Sequence, residues 1–302
     1  MGLETTSGGI AVRFFAFAAD AGPSQMGVVA HDRVTPLCTV EEFWTDLGRY
    51  RGQAAEAVHG TMLLDDLTPA VPVPSQTRVI CAGLNYRDHA EEADDGTPDQ
   101  PDVFGRWSST LTTTGTCVPL PPREAGLDWE GELAAVVGAE LRDVTPEEAA
   151  SGIFAYTCFN DLSARTFQFA GRQMTMGKNA DRSGPIGSHL VERDDLDDAR
   201  DLRITTEVND VMKQDGSSRD LIFTAAEIIA YVSGCMTLRP GDVVATGTPS
   251  GVGFTRNPPE LLGDGDTVRV TIEGIGWIEN RIGPAGRGRR WVGHEAARGE
   301  SR

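Results

Sequence analysis

Hydrophobic positions along this chain fall into short runs rather than long helical stripes. The runs at 79–82, 133–137, 204–208, 243–246 and 268–272 are apolar or β-branched and predict strands. Gly-Asp pairs at 241–242, 263–264 and 265–266 punctuate them as turns. Two further strands are predicted at 10–17 and 26–29. The predicted helices are few and short. Thr39-Val40-Glu41-Glu42 has the spacing of a capping box and opens a helix through Phe43 and Leu47. Thr145-Pro146-Glu147-Glu148 adds a proline at the first helical position. Thr224-Ala225-Ala226-Glu227 opens a third helix, apolar through Ile228, Ile229 and Val232. Strands and helices do not alternate regularly, which argues against a doubly wound sheet. The expected fold is mainly β (α+β) with short helices.

Pro69, Pro72 and Pro74 interrupt the chain within six residues and favour an extended linker. This places a boundary between a small N-terminal α+β domain, residues 1–72, and a larger catalytic domain, residues 73–285. The Gly-, Arg- and Glu-rich tail, 286–302, is expected to be flexible. There is no internal repeat at a fixed period.

Composition narrows the partners. Hydrophobic residues make up 39% and charged residues 24% of the 302 positions, as in a globular protein with a real core. The net charge of -18 opposes binding to nucleic acid phosphates. No apolar run reaches the length of a membrane span, so no membrane partner and a cytoplasmic location are the expectation. The five cysteines are scattered without a C-x-x-C, which fits reduced thiols better than a disulfide framework. Cys81 and Cys158 read as small core hydrophobes.

Candidate chemistry starts at Glu130 and Glu132, at the mouth of the apolar run Leu133-Ala134-Ala135-Val136-Val137. Residues i and i+2 of a strand share a face, so two carboxylates crowd each other there. A hard divalent cation between them would relieve the repulsion. A third acid, Asp161, follows another apolar stretch. If a helix follows, Asp161, Arg165 and Gln168 share a face, although a surface salt bridge has the same spacing. In Gly83-Leu84-Asn85-Tyr86-Arg87-Asp88-His89, Asp88 and Glu91 have capping-box spacing, which puts His89 in a first turn with Glu92 three positions on. A carboxylate beside an imidazole makes a general-base dyad. An exposed His–Glu pair on a helix has the same spacing and is the commoner case. Lys178 follows Gly177, and the sequence around it does not separate a site lysine from a surface one. Thr246-Gly247-Thr248-Pro249-Ser250-Gly251-Val252-Gly253 is a glycine-rich turn whose N–H groups could hold a carboxylate. It lacks the Lys-Ser/Thr ending of a phosphate loop.

Taken in order, these segments resemble the fumarylacetoacetate hydrolase family. The motifs run from Gly83-Leu84-Asn85-Tyr86-Arg87-Asp88-His89, through Glu130-Gly131-Glu132-Leu133, Asn160-Asp161-Leu162-Ser163-Ala164-Arg165, Gly177-Lys178 and Gly184-Pro185-Ile186-Gly187, to the long stretch from Leu238 to Gly253. The similarity covers about residues 78 to 282, and the first 70 residues show no comparable motif. The resemblance implies a mixed β-roll core, usually in a homodimer. It implies Mg²⁺ or Mn²⁺, with Ca²⁺ as a substitute in crystals, held by Glu130, Glu132 and Asp161. It also implies a lid carrying the His89–Glu92 dyad, and a substrate site with Lys178 as a catalytic residue and Arg165, Gln168 and Thr248 along it. Arg106 stands where many relatives have lysine, and joins the substrate-site candidates with that difference noted.

The expected activity is metal-dependent attack on a small 2-oxo acid, with hydrolysis of a C–C bond in an acylpyruvate or related diketo acid preferred. The cation would stabilise the enolate left by cleavage, and His89 with Glu92 would deprotonate the attacking water. Isomerisation or decarboxylation of an unsaturated oxo-diacid, or of oxaloacetate, needs the same triad. A non-catalytic metal- or acid-binding protein on the same fold is the alternative from another class.

Overall fold

A computed structural model describes residues 13–57, 60–88, 98–196 and 199–285. The His89–Glu92 dyad and the 286–302 tail lie outside the described residues. The N-terminal segment forms β1 (Arg13–Phe17), β2 (Gln25–Ala30) and β3 (Arg33–Thr39), then α1 (Val40–Thr45), α2 (Leu47–Glu56) and the short β4 (Met62–Leu63). Next come β5 (Arg78–Gly83), β6 (Asp102–Trp107), β7 (Leu111–Thr112), β8 (Val118–Pro119), β9 (Gly131–Val137), α3 (Pro146–Gly152) and β10 (Ile153–Asn160). The remainder is α4 (Arg165–Phe169), β11 (Gly184–Pro185), β12 (His189–Glu192), β13 (Arg203–Val208), β14 (Val211–Ser217), α5 (Ala225–Ser233), β15 (Val243–Ala245), β16 (Thr267–Ile272) and β17 (Gly276–Gly283). This is the β-rich fold with short helices expected from the hydrophobic runs.

The capping boxes predicted at Thr39, Thr145 and Thr224 form, and the one predicted for Asp88 and Glu91 runs outside the described residues. The first helix does not continue through Leu47. Asp46 ends α1 and accepts the Arg49 N–H with its own side chain, starting α2. A capping side chain therefore divides what the apolar pattern reads as one helix.

Ten strands make one sheet in the order β4-β3-β2-β1-β12-β10-β9-β15-β5-β6, and five make a second, β14-β13-β16-β17-β8. β1 pairs antiparallel with β12, so the sheet runs from the N-terminal segment into the rest of the chain across the proline-rich stretch. β9 is buried along its whole length, which explains its unbroken apolar run. Its alternate residues serve two cores. Leu133, Ala135 and Val137 pack with Ile204, Val270 and Ile278 of the second sheet. Ala134 and Val136 pack with Phe14, Phe43 and Trp44 on the other side. Cys81 and Cys158 are buried in these cores, and burial pushes the Cys158 thiol up to about 12. Among the described residues no helix is long and apolar enough to cross a membrane.

Candidate metal centre and active site

The antiparallel pairing of β9 and β10 builds the acidic centre. Asn160 stands opposite Gly131 in register, so the chain entering β9 lies beside the chain leaving β10. The Asp161 N–H donates to the Glu130 carbonyl at 2.9 Å. Gly131, between the two glutamates, faces the second sheet, where a Cβ would collide with Thr206 and crowd Val270. Glu130 and Glu132 therefore turn to the opposite face. One ligand atom each from Glu130, Glu132 and Asp161 lies within 4.8 Å of the others. All three residues are buried.

Such crowding needs compensation. Lys178 Nζ bridges Glu130 Oε2 at 2.6 Å and Asp161 Oδ2 at 2.7 Å. Arg165 Nη2 donates to Glu130 Oε1 at 2.6 Å. Burial pulls the Lys178 and Arg165 pKa values down, but the facing carboxylates outweigh it and both end raised. Glu132 has the Gly247 N–H on Oε2 at 2.9 Å. Burial, then Asp161 and Glu130, push its carboxyl well above the usual carboxylate range. Three buried oxygen donors with residual mutual repulsion suit a hard divalent cation.

The centre opens into a cleft of ≈ 290 Å³. Glu130, Arg165, Gln168, Lys178 and Thr248 line it, so four of the sequence-derived candidates meet one ligand of the acidic triad there. Gln168 Oε1 accepts from Arg165 Nη1 at 2.7 Å. The helix expected to carry Asp161, Arg165 and Gln168 on one face begins only at Arg165, and Asp161 precedes it in the turn after β10. Arg106 does not line this cleft. Its side chain is fully buried behind Asp161, donating Nε to Oδ1 at 2.9 Å, with Nη2 on the same oxygen and Nη1 on Ser183 at 2.7 Å. Thr248 donates to the Gly131 carbonyl at 3.0 Å and accepts from Gln214 at 2.8 Å. Asp88, the residue before His89, is held by the Ser250 hydroxyl at 2.6 Å.

Sequence reasoning passed over the residue that organises this cluster. Asp128 is fully buried and accepts from the N–H groups of Trp129, Gly253 and Phe254 at 2.9, 2.6 and 3.2 Å. Arg165 adds Nε at 2.9 Å and Nη2 at 2.7 Å. Burial raises the Asp128 pKa against the pull of Arg165. Its spacing, two before Glu130 and four before Glu132, was a usable signal: three acids at a strand's period. Gln214 was also missed. It accepts from the Gly131 N–H at 3.0 Å, and nothing in its own strand marks it.

Residues 78–283 match the family described as fumarylacetoacetate (FAA) hydrolase, C-terminal. A Burkholderia cenocepacia (strain HI2424) protein, provisionally named a hydrolase, is 43% identical over 201 residues, 66% of this chain and 71% of its own. The structure of 2-hydroxyhepta-2,4-diene-1,7-dioate isomerase from Mycobacterium marinum is 29% identical, with TM-score 0.73, over 92% of this chain and 100% of that one. Maleylpyruvate hydrolase from Sphingobium sp. SYK-6, solved with manganese(II) and pyruvate, is 27% identical, with TM-score 0.75, over 91% and 100%. A match over most of the chain, with the acidic triad inside it, makes this protein a member of the fumarylacetoacetate hydrolase family.

Proposed function

We propose that this protein is a Mg²⁺- or Mn²⁺-dependent hydrolase that cleaves a C–C bond in an acylpyruvate or related 2,4-dioxo acid. The observation that carries the reading is a triad of buried carboxylates, one of which, Glu130, lines a cleft together with a lysine, an amide and a hydroxyl. A relative solved with manganese and pyruvate supports it. Glu130, Glu132 and Asp161 would hold the ion, which when bound supplies Lewis acidity to the carboxylate and 2-oxo group of the substrate.

The chain's own residues do the rest. Arg106 and Lys178 grip the two oxygens of Asp161, and Arg165 and Lys178 those of Glu130, which fixes the donors in advance. Lys178 stays charged and balances charge that develops on the substrate oxygens. The Gln168 amide orients the substrate chain, and Thr248 helps to shape the wall beside it. His89, with Glu92 as its proposed partner, would take a proton from water. The water oxygen bonds to the C4 carbonyl carbon, the C3–C4 bond breaks, and C3 takes up a proton. The products are a carboxylic acid and pyruvate.

The isomerase among the relatives favours a second reading, isomerisation or decarboxylation at the same triad. One assay series separates them. The metal-loaded protein is incubated with acetylpyruvate, fumarylpyruvate, oxaloacetate and 2-hydroxyhepta-2,4-dienedioate. Turnover of none of them refutes the enzyme reading. His89→Ala should slow hydrolysis far more than oxaloacetate decarboxylation, which needs no attacking water; equal losses would remove His89 as the base. A homodimer in the cytoplasm belongs to the same proposal, and light scattering of the purified protein tests the dimer.

A further inference from the structure

The cleft combines the polar groups of the acidic centre with Leu84, Phe104, Phe169, Met174 and Phe254. The two sets meet: the Arg165 guanidinium lies over the Phe254 ring at 4.2 Å and Lys178 Nζ over the Phe104 ring at 5.3 Å. Phe169 and Phe254 pack ring against ring at 5.6 Å, and Phe169 remains 62% exposed, at the mouth. Among the described residues lining the cleft, the cations are Arg165 and Lys178. Both are committed: Arg165 to Asp128, Glu130 and Gln168, and Lys178 to Glu130 and Asp161. A second carboxylate at the far end of a substrate would meet aromatic and thioether groups, with no uncommitted cation among the described residues that line the cleft.

We propose that the substrate is a monocarboxylic 2,4-dioxo acid whose acyl group is uncharged and apolar, with an aromatic ring as its best occupant, rather than an oxo-diacid. The ring lies against Phe169 and Phe254, where offset or edge contacts between aromatic faces add to its burial. This rests on the 2-oxo acid reading above and specifies the far end of the ligand.

Two uncleavable 2-oxo acids of matched length test it by binding. 2-Oxo-4-phenylbutanoate ends in a ring and 2-oxoglutarate in a carboxylate. Isothermal titration into the Mn²⁺-loaded protein should give a Kd at least about tenfold lower for the phenyl compound. Phe169→Arg, at an exposed position, should narrow or invert that ratio while leaving Mn²⁺ affinity unchanged. In turnover, benzoylpyruvate should exceed fumarylpyruvate in kcat/KM. If 2-oxoglutarate binds as tightly as the phenyl compound, or if Phe169→Arg leaves the ratio unchanged, the apolar assignment is wrong while the 2-oxo acid reading stands. If Mn²⁺ binds but neither acid does, the 2-oxo acid reading falls and this proposal with it.

Discussion

Replacing Asp128 with alanine should destabilise the protein by about 3–5 kcal/mol, the cost of removing one partner from a buried ion pair. The magnitude follows from what the carboxylate holds. It receives three backbone N–H groups and two from Arg165, with no exposure of its own side chain. Without it, a guanidinium only 8% exposed keeps Glu130 and Gln168 but loses the Oδ2 that accepts from both its Nε and Nη2. The Gly253 and Phe254 N–H groups lose their acceptor as well. Asp128→Asn should fare little better, because its NH₂ would face either the guanidinium or those N–H groups. The assay is urea denaturation of the metal-free protein at neutral pH. Asp194→Ala, which removes an acid 64% exposed and paired with Arg193, is the control and should cost less than about 1 kcal/mol. The double variant Asp128→Ala/Arg165→Met should lose less than the sum of the singles, since the stranded charge goes too. A loss below about 1 kcal/mol for Asp128→Ala, or strict additivity, would refute the claim that this pair organises the site.

Three other outcomes are expected. Glu132→Gln should weaken Mn²⁺ binding by more than about tenfold in calorimetry and abolish metal-dependent turnover; unchanged affinity would take Glu132 out of the ligand set. Burial, then Arg13, lower the pKa of His189 to about 4, and its Nδ1 is buried without a hydrogen-bond partner among the described residues. A depressed folded-state pKa gives stability that is present above the ordinary histidine value near 6.5 and is lost as pH falls toward 4. The loss should reach at most about 3 kcal/mol, and His189→Gln should flatten that part of the stability profile; an unchanged profile would exclude His189 as its source. Gly253→Ala should cost about 1–3 kcal/mol or more, read as a fall in Tm. Its Cβ would strike the Glu260 carbonyl and sit 2.7 Å from Asp128 Oδ1, and an unaltered Tm would show that this loop yields.

Local chemistry wrote much of this protein into its sequence. Short β-branched runs have a period, and capping boxes have a spacing, so β5, β9, β13, β16 and the starts of α1, α3 and α5 could be read from one segment at a time. Glu130 and Glu132 were legible for the same reason: a strand's two-residue repeat puts neighbours in sequence on one face. The ordered motifs then identified the family. What no single segment encodes is which distant groups meet. Asp161 joins the glutamates because β10 runs antiparallel to β9 and ends where β9 begins. Arg106 reads as another cation near the substrate, yet the fold buries it behind Asp161. Asp128 reads as one more acid, yet N–H groups from residues 253 and 254 and the guanidinium of Arg165 make it the hub of the site. Backbone periodicity is a property of adjacent residues and can be read along the chain. Charge compensation is a sum over side chains brought together from far apart in sequence, and only the folded chain decides that sum.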